Sequence, residues 1–125
     1  MKALLVFTAA LEAATGLALI FSPPLIARLL LGVWFDGAAA LTVGRLAGAA
    51  LLSLGLACWL ARGDGASPAG RGLVAAMLLY NVGAVAVLAY AGAGLGLFSV
   101  LLWPAAVLHA ALAVWCGACL RRGTA

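Results

Sequence analysis

The sequence predicts an all-α integral membrane protein, a bundle of four transmembrane helices with a short interfacial helix after the first span. Three observations carry this reading. Of 125 residues, 68% are hydrophobic and 8% charged, whereas soluble domains are roughly half apolar and a quarter charged; mean hydropathy is +1.27. The length holds four apolar runs of about 20 residues each with short connections, which is a single domain without room for a soluble catalytic module. The cations sit singly at the ends of those runs, and one strongly polar residue lies inside each.

The first run, residues 3–21, follows Met1-Lys2 and has the outline of a cleavable signal peptide. It is longer than an h-region and Glu12 interrupts its middle, so it is read as the first span. Ser22-Pro23-Pro24 ends it, because the prolines cannot continue a helix but can start another. Residues 24–35 then form a short helix with Arg28 in its first turn, Trp34 near its end and Asp36-Gly37 as a stop. Too short to span, it is expected along the outer membrane surface, with a plain extracellular connection as the equal alternative. The second span covers residues 38–60 and ends at Arg62-Gly63-Asp64-Gly65-Ala66-Ser67-Pro68, the one convincingly polar loop. A third span over residues 72–90 follows Arg71, and Gly92, Gly94 and Gly96 make a tight uncharged connection. The fourth covers residues 97–120, tolerates Pro104 in its first turns and closes on Arg121-Arg122.

Lys2, Arg62, Arg71, Arg121 and Arg122 fall on one side, and Arg28 alone, balanced by Asp36, on the other. The positive-inside rule places both termini in the cytoplasm. The net charge of +4 is therefore a topology signal rather than a nucleic-acid patch. Cys58, Cys116 and Cys119 are an odd number near cytoplasmic helix ends, where thiols stay reduced, so no structural disulfide is expected.

An ionisable group inside a bilayer needs a partner or a purpose. Counting inward from the outer helix ends puts Glu12, Arg45, Asn81 and His109, one per span, at comparable depth, with His109 somewhat deeper. The expected site is a buried polar cluster: an ion pair of Glu12 with Arg45, completed by Asn81 and His109, with Thr8 and Thr15 on the Glu12 face. A purely adhesive role between helices has even odds with a ligand or proton site. Gly44-Arg45-Leu46-Ala47-Gly48 has GxxxG spacing, better explained by close packing within the bundle than by a dimerisation face. Cys116-Gly117-Ala118-Cys119 is a CxxC with Cys58 at similar depth, a pattern that suits thiol exchange or soft-metal ligation, although small apolar cysteines in an alanine-rich helix explain it more simply. His109 is the sole histidine, which disfavours haem or zinc. Trp59, Trp103, Trp115, Tyr80 and Tyr90 read as interfacial anchors.

Arg45-Leu46-Ala47-Gly48, running on through Leu54-Gly55-Leu56 after a first helix that ends at Pro23-Pro24, resembles the DoxX-like group of small bacterial four-helix membrane proteins. The likeness covers roughly the first half of the chain. It implies a four-helix fold in the bacterial cytoplasmic (inner) membrane and, through some members, association with quinone-linked or thiol-linked redox complexes.

No phosphate loop, catalytic triad or metal motif is present, so no catalytic residue or metal is assigned and the chain leans away from being an enzyme. The expected function is a small accessory or ligand-binding membrane protein whose polar cluster takes a quinone, lipid or similar amphipathic molecule, alone or within a homo-oligomer or larger membrane complex. One alternative is an oligomeric proton-coupled transporter or channel using Glu12. Another is a thiol/quinone oxidoreductase component using Cys116 and Cys119. A closed bundle with the Glu12 carboxylate hydrogen-bonded to the Arg45 guanidinium would favour the first; Glu12 facing a water-accessible cavity would favour the transporter.

Overall fold

Alanine and leucine, the strongest helix formers, fill the long helices of the computed structural model, which describes residues 1–122. The order is α1 (Lys2–Phe21), α2 (Pro23–Leu31), α3 (Ala38–Ala61), α4 (Pro68–Ala89, continued by a π-helical turn, Tyr90–Gly94) and α5 (Leu102–Arg122). No strand occurs among the described residues. Four helices, Lys2–Phe21, Ala38–Ala61, Pro68–Gly94 and Leu102–Arg122, are long and apolar enough to cross a membrane.

The ends of these elements depart from the sequence expectation for identifiable reasons. The short helix stops at Leu31 because Gly32, at φ 73°, caps it in the left-handed conformation. Its amide donates to the Arg28 carbonyl at 3.0 Å. Arg28 therefore lies in the last turn, not the first, with its guanidinium 5.8 Å from the Trp34 ring centre. Helix α4 begins at Pro68 rather than near residue 72, since the Ser67 hydroxyl caps the Gly70 amide at 3.0 Å and proline suits a first turn. Gly92 and Gly94, expected in a loop, instead belong to the π turn that prolongs this helix. The chain turns at Gly96, φ 67°. Helix α5 starts at Leu102 rather than near residue 97 because the preceding segment is fastened to α2. The Leu29 carbonyl accepts from the Leu101 amide at 3.2 Å and from the Ser99 hydroxyl. Pro104 does fall in the first turn of α5.

The helices pack as two antiparallel pairs, α1 on α3 and α4 on α5. Glycine makes the first seam. A Cβ on Gly16 would lie 2.7 Å from the Gly48 carbonyl oxygen, one on Gly48 2.7 Å from the Gly16 carbonyl oxygen, and one on Gly55 2.9 Å from the Ala13 amide. Backbones therefore touch backbones, and the GxxxG serves packing within the chain. One end of the bundle is sealed by Leu4, Leu5, Ala9, Cys58, Val74, Met77, Leu112 and Cys116. There Arg71 joins the two ends of its pair, donating from Nη2 to the Leu120 carbonyl at 3.2 Å, where a cation also suits the helix C-terminus. The outward faces carry exposed Leu46, Leu60, Leu79, Val87, Val107 and Val114, among other large apolar side chains.

Candidate functional site

Between the two pairs, beyond the sealed end, lies a cleft of about 420 Å³ bounded by α1, α2, α4 and α5. Its walls are mostly aliphatic, with Leu11, Ile26, Leu29, Leu101 and Leu108 among them. The polar groups that reach it are Glu12, Thr15, Tyr80 and His109. A cleft of this size with a few convergent polar groups is the usual form of a small-molecule site.

Glu12 is 2% exposed. Helix α1 holds it one turn before Gly16, so the close α1–α3 seam fixes its position while the side chain points to the neighbouring pair. The Tyr80 hydroxyl donates to its Oε2 at 3.5 Å, a long contact. Its Oε1 is buried without any hydrogen-bond partner. A buried carboxylate oxygen in this condition is rare in folded proteins and usually marks a ligand, a water or a proton.

On the α4–α5 side the hydrogen bonds fix a tautomer. Asn81 is fully buried and donates from Nδ2 to the Met77 carbonyl at 2.7 Å. That bond sets the orientation of the amide, so its Oδ1 faces His109 Nδ1 at 2.8 Å. An amide oxygen only accepts, so the imidazole donates from Nδ1. In the neutral ring Nε2 is then an acceptor. The Tyr80 ring stands edge-on to His109, with centroids 5.6 Å apart. Glu12 with Tyr80 and Asn81 with His109 thus form two hydrogen-bonded pairs, adjoined by the ring contact of Tyr80 and His109.

The expected cluster is only partly assembled. Asn81 and His109 meet, and Glu12 faces the same cleft as His109, but the Glu12–Arg45 ion pair does not form. Gly44 and Gly48 are buried in packing with Pro23 and Gly16, respectively. Arg45 follows Gly44 by one residue, roughly 100° around the helix, and is exposed. The same glycines that suggested close approach exclude Arg45 from the interior. Thr15 lines the cleft, while Thr8 is buried nearer the sealed end.

Tyr80 was missed as a site residue, being expected at the membrane interface. It lies 12 residues into a 27-residue helix, about 18 Å from the start at 1.5 Å per residue, too deep for an interfacial anchor. The signal was already present in Asn81, its neighbour, counted at mid-span depth, whereas Tyr80 was grouped with the tryptophans by residue type. Trp59, Trp103, Trp115 and Tyr90, in contrast, are exposed on the outside.

The cysteines are free thiols. Cys58 and Cys116 are buried in the sealed core and Cys119 is half-buried. Thiols enclosed by aliphatic side chains are poorly placed for exchange with an external partner. Among the described residues, no three His, Cys, Asp or Glu side chains gather as a metal site. No protein-family model, curated protein or solved structure matches the chain.

Proposed function

We propose that the protein lies in a membrane as a multi-pass bundle and holds a small amphipathic molecule in the cleft between its helix pairs. The apolar body would lie against Leu11, Ile26, Leu29 and Leu108, and the polar head would meet Glu12, Tyr80, Thr15 and His109. The observation that carries this reading is a cleft of about 420 Å³ lined by Glu12, whose Oε1 is buried without a hydrogen-bond partner. Lipid would cover the outward apolar faces, and α2 would lie at the membrane surface. The distribution of cations supports cytoplasmic termini, which puts the cleft in the outer half of the bilayer. The resemblance to DoxX-like proteins supports a bacterial cytoplasmic membrane.

Extraction of the purified protein tests the proposal. Wild type should carry a small molecule at near-equimolar amount that mass spectrometry detects and that Ala105→Trp, which fills the cleft, lacks. Identical extracts from the two proteins would overturn it. A second reading, proton-coupled transport, draws support from Glu12 facing the cleft without Arg45. It requires Glu12→Gln to abolish substrate-driven proton flux in proteoliposomes while leaving the fold intact.

A further inference from the structure

Hydrogen bonds commit the protons of two of the polar groups at the cleft, Tyr80 and His109, and leave the Thr15 hydroxyl as the remaining side-chain donor in its lining. The Tyr80 hydroxyl spends its proton on Glu12 Oε2. The His109 imidazole spends its Nδ1 proton on Asn81 Oδ1, leaving Nε2 as an acceptor when the ring is neutral. Glu12 Oε1 has no donor at all, and the cation expected to serve it, Arg45, is exposed outside the cleft. No lysine or arginine lines the cleft. At Glu12, a head group made only of acceptors, such as the two carbonyls of an oxidised quinone or a carboxylate, would set lone pair against lone pair, with the Thr15 hydroxyl the remaining donor in the lining.

We infer that the molecule this cleft takes is an amphipathic amine, whose protonated nitrogen donates to Glu12 Oε1 and supplies the positive charge the bundle withholds from that carboxylate. The inference rests on the cleft being a ligand site. Charge and hydrogen bonding point to the same head group: an ammonium is a pure donor, it neutralises a carboxylate that hydrocarbon would otherwise disfavour, and Tyr80 and His109 offer aromatic surface beside it. The aliphatic walls accept the uncharged remainder. An alcohol satisfies the hydrogen bond but not the charge, and a quinone satisfies neither.

The test uses the full chain in nanodiscs of zwitterionic phosphatidylcholine, with empty nanodiscs subtracted. Calorimetric titrations compare phenylbutylamine, phenylbutanol and a short-chain benzoquinone. The charged hydrogen bond should make the amine bind about ten- to hundredfold more tightly than the alcohol, with the quinone weakest, and Glu12→Gln should erase the amine's advantage. Alcohol or quinone binding as tightly as the amine, with binding lost in Ala105→Trp, would overturn the amine head group and leave the ligand cleft standing. Failure of all three probes to bind above empty nanodiscs would remove both. The wild-type comparison needs no variant, so it decides the matter even if Glu12→Gln fails to fold.

Discussion

The seam inside the first helix pair and the seam between the two pairs are built by opposite means. Along α1 and α3, Gly16, Gly48 and Gly55 remove the side chains altogether, and carbonyls of one helix lie where Cβ atoms of the other would be. Between the pairs, full-sized side chains hold the helices apart and leave a cleft. With no side chains between them, the α1 and α3 backbones gain contact area by close approach, the means by which helices associate in an apolar solvent. The difference teaches a division of labour within α1: its glycine and alanine face anchors the helix, and that anchoring lets the adjacent face present Glu12 with an unsatisfied oxygen.

The largest effect should come from closing the gap the glycines leave. Gly48→Leu places a Cβ within 2.9 Å of the Ile20 amide and a whole side chain beyond it; overpacking of this kind costs about 3 kcal/mol. Unfolding in mixed micelles should show that loss. Ala105→Leu, which adds similar bulk facing the cleft, should change stability by less than about 1 kcal/mol because the space is already there. Equal losses from the two would erase the distinction between the seams.

A smaller effect tests the second pair. Asn81→Leu removes the acceptor that holds the Nδ1 proton of His109, and His109→Leu removes the donor. A double-mutant cycle should give a coupling of about 1 kcal/mol, within the range for hydrogen bonds between membrane helices. Additive losses would show that the bond contributes nothing and that His109 is positioned by packing alone.

Glu12→Gln separates site from adhesive. With no cation beside it and one oxygen unpartnered, the carboxylate contributes little to holding the pairs together. The variant should melt within about 1 kcal/mol of the parent, or slightly above it, while losing amine binding. A loss several times larger would mean that Glu12 joins helices and that the cleft is incidental.

The sequence carried the architecture well because hydrocarbon leaves a strong compositional trace, and the four apolar runs correspond to four long helices. Boundaries were less legible where hydrogen bonds distant in sequence set them: α5 starts late because Ser99 and Leu101 are bonded to the Leu29 carbonyl, which no local pattern announces. At the site, counting depth along the spans correctly grouped Asn81 with His109 and brought Glu12 to the same cleft. It failed for Arg45, since depth says nothing about angle. The angle was nonetheless present in Gly44 and Gly48, one residue before Arg45 and three after it, which mark the packed face of the helix. Tyr80 was hidden by its residue type, since aromatic residues were read as anchors although its neighbour Asn81 was counted as deep. The unpaired oxygen of Glu12 was out of reach, because the sequence pairs charges by availability and the fold pairs them by direction.

Arg45 provides the smallest and most discriminating prediction. An exposed arginine on α3 can lay its long stem along apolar surface while its charged head stays in a polar environment. Its removal leaves no buried partner behind. Arg45→Ala should therefore shift stability by no more than about 0.5 kcal/mol, as for other exposed positions, and should leave amine binding unchanged. If charge pairing with Glu12 governed the interior instead, the same substitution would orphan a buried carboxylate, a change that costs about 3 kcal/mol or more. The two outcomes differ several-fold and are read in a single unfolding titration. A large loss would return Arg45 to the interior and would fill the vacancy beside Glu12 on which the amine assignment depends.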